Sequence, residues 1–309
     1  MTRIIYTCTM AGNITGGIKF TYRHVEALAA QGFDAYVLTH GDSGPDWLRH
    51  DAPLLSQHNF RAQPSDVIVL PEDDRDLIER ARSVNARRVV FCQNQYYAPR
   101  GISTYRTAQE AGIDHFLASS ETIRRYLLER FPGTPVTVIP CYVDQTLFHP
   151  REKRLQVCFY ARKRALEAEF IIDLLKTRHP ELRETPFVEI KQASEEDVAR
   201  IMGESAVFLS LSRLEGLGLT PLEAMASGCL VVGFTGVGGR EFASSLNGFW
   251  SENEDCWQCV DDLARALRFA TTQDPLADAM TRCGYATAGT YSRDAFVTGL
   301  RSFWTSFLS

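Results

Sequence analysis

The chain has 309 residues, 45% of them hydrophobic and 23% charged, which is the composition of an ordinary globular protein and excludes disordered and fibrous classes. That length suggests two domains, or one unusually large one, and a core that needs neither disulfides nor metal to form. Its 33 basic and 38 acidic side chains leave a net charge of −5, so no general attraction to nucleic acid is expected.

The first predicted strand, Ile4–Cys8, runs directly into Ala11-Gly12-Asn13. Met1–Met10 therefore lacks the apolar length and cleavage pattern of a signal peptide, and no segment reaches the ~18 apolar residues of a membrane span. Cys8, Cys92, Cys158 and Cys229 lie in short apolar runs, where cysteine acts as a small hydrophobe, and this usage predicts a reducing, cytoplasmic setting.

A helix pattern follows over about residues 17–31, then strands at Ala35–Leu38, Val67–Leu70, Arg88–Cys92, His115–Ala118 and Val136–Ile139. Helices are expected between them at Asp73–Val84 and Glu121–Phe131. Pro140 to Pro150 has proline at each end and no periodicity, so it reads as an interdomain linker. The rhythm restarts with strands at Leu155–Tyr160, Phe187–Ile190, Val207–Ser210 and Leu230–Phe234, with a helix ending near Lys176. The last part is helical, closing at about Arg293–Phe307 with Phe296, Leu300, Phe303 and Phe307 on one stripe. Short strands alternating with helices predict an α/β protein of two doubly wound, Rossmann-like domains that bind ligands outside the carboxyl ends of their strands.

The most informative stretch is Val207–Gly233. A strand leads into a glycine loop with Glu215, Gly216 and Gly218, and a helix is expected to begin near Thr220, with Pro221 in its first turn. Free amides at such a helix start bind phosphate without any side chain. Thr220 and Glu223 also have the spacing of a capping box, which accounts for Glu223 without function. Glu215 has no such explanation, because ligand-binding residues concentrate in loops of its kind.

Glu215 and Glu223, followed by Ala224-Met225-Ala226 and Gly228, resemble the signature of the retaining glycosyltransferases called group 1, a family-4-like type. The likeness is best over about residues 136–245. It implies a GT-B architecture, with residues 1–145 as an acceptor-side domain and 146–290 as a nucleotide-sugar donor domain. These would face a central cleft, and residues 291–309 would form a helix returning to the first domain. By the same resemblance Glu215 holds donor-sugar hydroxyls, Glu223 holds the ribose, and the backbone at Gly218, Leu219 and Thr220 faces sugar or phosphate.

Arg162, Lys163 and Arg164 follow the first strand of the second half, where the family places an Arg and a Lys on the donor diphosphate. Arg162 fits that Arg. The family's lysine position is Glu167 here, so Lys163 or Arg164 stands in, or the second cation comes from elsewhere. A solvated basic turn is the alternative. Gly16 and Gly17 resemble the family's loop at the donor phosphates or acceptor, although a turn capped by Thr15 explains them equally. Gln93, Asn94 and Tyr96, at another strand end, are candidates for the acceptor or sugar side, and the family's usual histidine is missing there. Gly239 and Arg240 resemble a further glycine loop at the cleft, and a surface ion pair is the other use for Arg240.

Asp74 and Asp76 make an Asp-x-Asp pattern, but at a helix start, where acidic residues are favoured, so no metal is expected from them. Cys256 and Cys259 form a lone CxxC without further ligands and read as packing, with a redox role as the alternative.

The resemblance thus implies metal-independent transfer of a sugar from a nucleoside-diphosphate sugar to an acceptor hydroxyl with retention, and no cofactor. The acceptor could be carbohydrate, lipid-linked or another hydroxyl. Arg124, Arg125 and Arg130 leave room for peripheral membrane contact. An inactive sugar-nucleotide binder, an epimerase or a phosphorylase of the same fold are the competing readings.

Overall fold

A computed structural model describes residues 2–8 and 14–309. Met1 and residues 9–13, including the Ala11-Gly12-Asn13 loop and the end of the N-terminal segment read for a leader, lie outside the described residues. The chain divides into two compact units, one of Met1–Cys141 with Asp294–Ser309, the other of Tyr142–Arg293.

The first unit opens with β1 (Ile4–Thr7), α1 (Gly16–Ala30), β2 (Ala35–Thr39), β3 (Leu54–Ser56) and β4 (Val67–Pro71). It continues with α2 (Arg75–Arg82), β5 (Arg87–Cys92), α3 (Pro99–Ile102), β6 (His115–Ala118), α4 (Glu121–Arg130) and β7 (Val136–Val138). The seven strands form one parallel sheet in the order β3-β2-β1-β4-β5-β6-β7. Near-continuous apolar strands such as Ile4–Thr7, buried at all four positions, mark a sheet covered on both faces.

The second unit contains β8 (Arg154–Phe159), α5 (Ala165–Arg178), β9 (Phe187–Glu189), α6 (Glu195–Glu204) and β10 (Ser205–Ser212). Then come α7 (Leu219–Ala226), β11 (Leu230–Thr235), β12 (Phe249–Ser251), α8 (Cys256–Thr272) and α9 (Pro275–Thr290). Its parallel sheet has the order β12-β11-β10-β8-β9. α10 (Arg293–Leu308) belongs almost wholly to the first unit. There Phe296, Leu300, Phe303 and Trp304 are buried, with Phe296 against Phe20 and Trp304 against Tyr6. Trp304 thus takes an inward place that the expected stripe gave to the half-buried Phe307.

Short elements escaped the sequence reading. β3 is a three-residue edge strand and α3 a four-residue helix, both too brief to show a period. The boundary between the two units, at Cys141/Tyr142, falls within the expected linker, which is packed rather than free. Tyr142, Val143 and Phe148 are buried, and the Val143 amide donates to Tyr291 O at 2.9 Å, so most of this stretch is built into the second unit. Its prolines punctuate a docked segment rather than a free one.

Asp74 caps α2 through the Leu77 amide at 2.9 Å. Cys259 lies in the apolar core of the second unit with Cys256 packed against it. On α4, Arg124 and Arg125 make surface pairs with Glu121 and Glu129, and Arg130 donates to the carbonyls of Ser103 and Tyr105. Among the described residues no helix is long and apolar enough to cross a membrane.

Candidate active site

β8 is the first strand of its sheet, and the chain places β9 on one side of it and β10 on the other. Connections leaving in opposite directions open a crevice at the carboxyl ends of the two central strands. The turn Tyr160–Arg164 after β8 and the loop 213–218 after β10 meet there. Lys163 Nζ lies 2.8 Å from Glu215 Oε1 and donates to Leu214 O at 3.2 Å. Their side chains are 22% and 27% exposed, so the pair is open to a ligand rather than sealed in the core. Arg162 is exposed in the same turn.

Two glycine loops form the wall beside this pair. Gly218 has φ +89° and starts α7 from the left-handed region, where a side chain would be strained. A Cβ at Gly238 would fall 2.3 Å from Gly216 O, so the loop after β11 sits on the loop after β10 with only backbone between them. Gly239 is in ordinary contact with the same loop, its amide nitrogen 3.5 Å from where a Gly218 Cβ would be. No side chain caps α7, and the amides of Leu219 and Thr220 have no acceptor within the helix.

This corrects the capping box. Gly218, not Thr220, is the cap residue, so Thr220 falls at the second helical position and leaves Glu223 without a capping role. Glu223 is 5% exposed, one turn into α7. Burial raises the Tyr160 phenol pKa, as does the nearby Glu223 carboxylate, while Arg162 pulls it down. Arg162 and Glu223 thus act on the Tyr160 phenol through their charges, in opposite directions. In the sequence Tyr160 is only the last residue of a strand, where an aromatic is ordinary packing.

Arg164 is placed differently from its neighbours. It is 2% exposed, donates through Nε to Ser212 O at 3.1 Å, meets Glu167 at 3.2 Å and lies 4.4 Å from the Phe234 ring centre. In that position its charge joins the ends of β8, β10 and β11, where the expectation gave it a donor contact, and the guanidinium is buried away from solvent. The Glu167 in the family's lysine position is thereby explained as its partner.

The first unit has its own strand-end cluster. Strand order turns back at β1, so a crevice is expected at the carboxyl ends of β1 and β4. Thr15 caps α1, accepting from the Ile18 amide at 3.3 Å, with Gly16 exposed beside it. Gln93 Nε2 donates to Gly17 O at 3.0 Å, joining the loops after β1 and β5. Asn94 is buried; its amide donates to Glu72 Oε1 at 2.8 Å and its Oδ1 accepts from the Tyr96 amide at 3.0 Å. It shapes the loop, while Tyr96 is 40% exposed. Arg240 is exposed on the 3-10 turn Gly238–Glu241 of the second unit.

Glu72 was missed because Pro71-Glu-Asp reads as an acidic helix approach. The signal available was a carboxylate directly after the buried strand Val67–Pro71. Burial pushes its pKa up to about 8 from 4.5, against the partial compensation of backbone hydrogen bonds. A carboxyl whose folded pKa is raised stabilises fully below its unfolded value and loses that contribution as pH rises toward 8. Glu72→Gln should therefore gain stability relative to the parent between about pH 5 and 8, by up to about 1.4 kcal/mol per pH unit. Urea midpoints with the same pH slope in both proteins would rule this out.

Residues 185–287 match the family described as glycosyl transferases group 1. The chain is a glycosyltransferase, similar to group 1 over those residues. It is 28% identical over 240 residues to an alpha-1,6-glucosyltransferase of Actinobacillus pleuropneumoniae serotype 7 (strain AP76), covering 75% of this chain and 72% of that one. Among solved structures it resembles sucrose-phosphate synthase from Thermosynechococcus elongatus, with TM-score 0.74, 14% identity and 99% of both chains covered. Anabaena HepE in complex with UDP-glucose matches with TM-score 0.72, 14% identity, and 98% of this chain and 99% of that one covered. The two-sheet α/β fold of this glycosyltransferase is GT-B.

Proposed function

We propose that this glycosyltransferase moves a sugar from a nucleoside diphosphate to an acceptor hydroxyl with retention and without a metal ion. The observation that carries the reading is the Lys163–Glu215 contact at 2.8 Å between two strand ends, walled by glycine backbone. A diphosphate entering there takes over the ammonium of Lys163, and Glu215 is released to accept bonds from sugar hydroxyls. Arg162 and the amides of Leu219 and Thr220 supply further positive potential, and Glu223 and Tyr160 lie beside them for the ribose.

The costly event is departure of the diphosphate while the sugar gains oxocarbenium character. Fixed cations and amides aimed at the leaving oxygens stabilise that charge separation with little reorganisation. The acceptor hydroxyl then attacks the face the phosphate leaves, and its proton passes to the departing phosphate oxygen, so no protein base is needed. Gly16 and Gly17 are assigned to the donor phosphates or the acceptor, and Gln93 and Tyr96 to the acceptor or sugar side, with the acceptor read as a carbohydrate. The Anabaena structure named with UDP-glucose and the relative named for alpha-1,6-glucosyl transfer make UDP-glucose the first donor to test.

The test is transfer from UDP-glucose and other nucleotide sugars to a panel of saccharides in excess EDTA, with the product anomer read by proton NMR. An α-linked product formed equally with and without EDTA is expected, and Arg162→Ala should lower turnover roughly 10²–10³-fold. A β-linked product from UDP-glucose, or loss of activity in EDTA, would overturn the mechanism.

A further inference from the structure

The second unit holds a cavity of about 530 Å³ that the transfer chemistry does not use. It lies by the edge strand β12, between the Gly238–Glu241 turn and α8, within the size range of small-ligand sites. Arg240 and Arg265 both line it, and among the described residues neither is paired with a carboxylate. The Arg265 guanidinium is held instead against aromatic rings, 5.0 Å from the centre of Phe249 and 5.3 Å from that of Phe269. Stacking fixes the plane of a guanidinium but leaves its N–H fork for an anion.

The rest of the lining differs from a bare anion site. Phe249 and Trp250 supply apolar wall, and Trp250 is fixed by its Nε1 donating to Asn247 Oδ1 at 3.0 Å. Asp262 faces the same space, with a 3.4 Å bond from Ser251 Oγ and no cation partner among the described residues. A carboxylate opposes a small anion but accepts well from hydroxyls. Two free guanidinium forks, an aromatic wall and one hydroxyl acceptor together describe a hydroxylated ring bearing a negative group.

The geometry points to a second ligand site, between Arg240 and Arg265, for a sugar carrying a phosphate or carboxylate. Its place directly beyond Gly239 puts it next to the glycine wall of the donor crevice, yet none of its residues contributes to that crevice's ion pair.

Isothermal titration calorimetry of the full chain with glucose 6-phosphate, in the presence of saturating UDP to occupy the donor crevice, tests this directly. Glucuronate, glucose and inorganic phosphate serve as the comparison probes. Saturable binding of glucose 6-phosphate or glucuronate is expected, at least tenfold tighter than glucose or phosphate alone. Arg240→Gln and Arg265→Gln should each weaken it at least tenfold with unchanged melting temperature, while Lys163→Ala leaves it intact. Phosphate binding as tightly as the sugar phosphate, unchanged affinity in both arginine variants, or no binding of any probe would each overturn the assignment. Because transfer is not the readout, a failure of the donor mechanism would leave this result standing.

Discussion

Glu215→Ala is expected to lower sugar transfer by about 10²–10³-fold while leaving the fold intact. The carboxylate lies in a loop at a strand end, partly exposed, and its ion pair with Lys163 has the modest worth of a solvent-facing contact, so its loss should barely move stability. The informative experiment is a cycle with Lys163→Ala. If the two groups serve one bound donor, the double variant should be little worse than the poorer single variant. Transfer by Glu215→Ala within a few-fold of the parent would remove this residue from the mechanism. Fully additive losses would instead mean that Lys163 and Glu215 act on separate events.

Arg164→Ala should act in the opposite way, through the fold. Its guanidinium is 2% exposed and joins Ser212 O, Glu167 and the face of Phe234. Removing it strips a buried acceptor of its donor and opens a void between three strand ends. Breaking one partner of a buried charge network typically costs about 3–5 kcal/mol. Glu167 is 27% exposed, so part of its desolvation is relieved by water and the lower figure is expected. The measurement is urea unfolding followed by a probe in the second unit, since a two-unit chain need not unfold in one step. A midpoint equal to the parent's would show that Arg164 is not a framework residue. A folded Arg164→Ala that has lost only donor affinity would restore it to the binding set.

The contrast between Lys163 and Arg164 shows where sequence reading reached its limit. Both follow one strand in one basic turn, and nothing in composition or spacing separates them. The separation arises because adjacent residues leaving a strand point to different sides. One projects toward the loop after β10 and the other returns under the sheet end. The capping box failed for a related reason. Thr220-Pro-Leu-Glu223 is a sound local pattern, but Gly218 can enter the left-handed region at no steric cost and begins the helix two residues earlier.

What the amino-acid order determined alone was the alternation of buried strands and amphipathic helices, hence two parallel sheets, and the group 1 signature around Glu215 and Glu223. Those are local properties, carried by side-chain period and by turn chemistry within a dozen residues. Only the tertiary structure decided which cations face solvent, that Glu72 is a buried carboxyl beneath the Gln93–Tyr96 loop, and that Arg240 and Arg265 share a cavity. Each of these depends on residues brought together from distant strands. Charge, burial and pKa are set by such neighbours rather than by the chain segment that carries the residue.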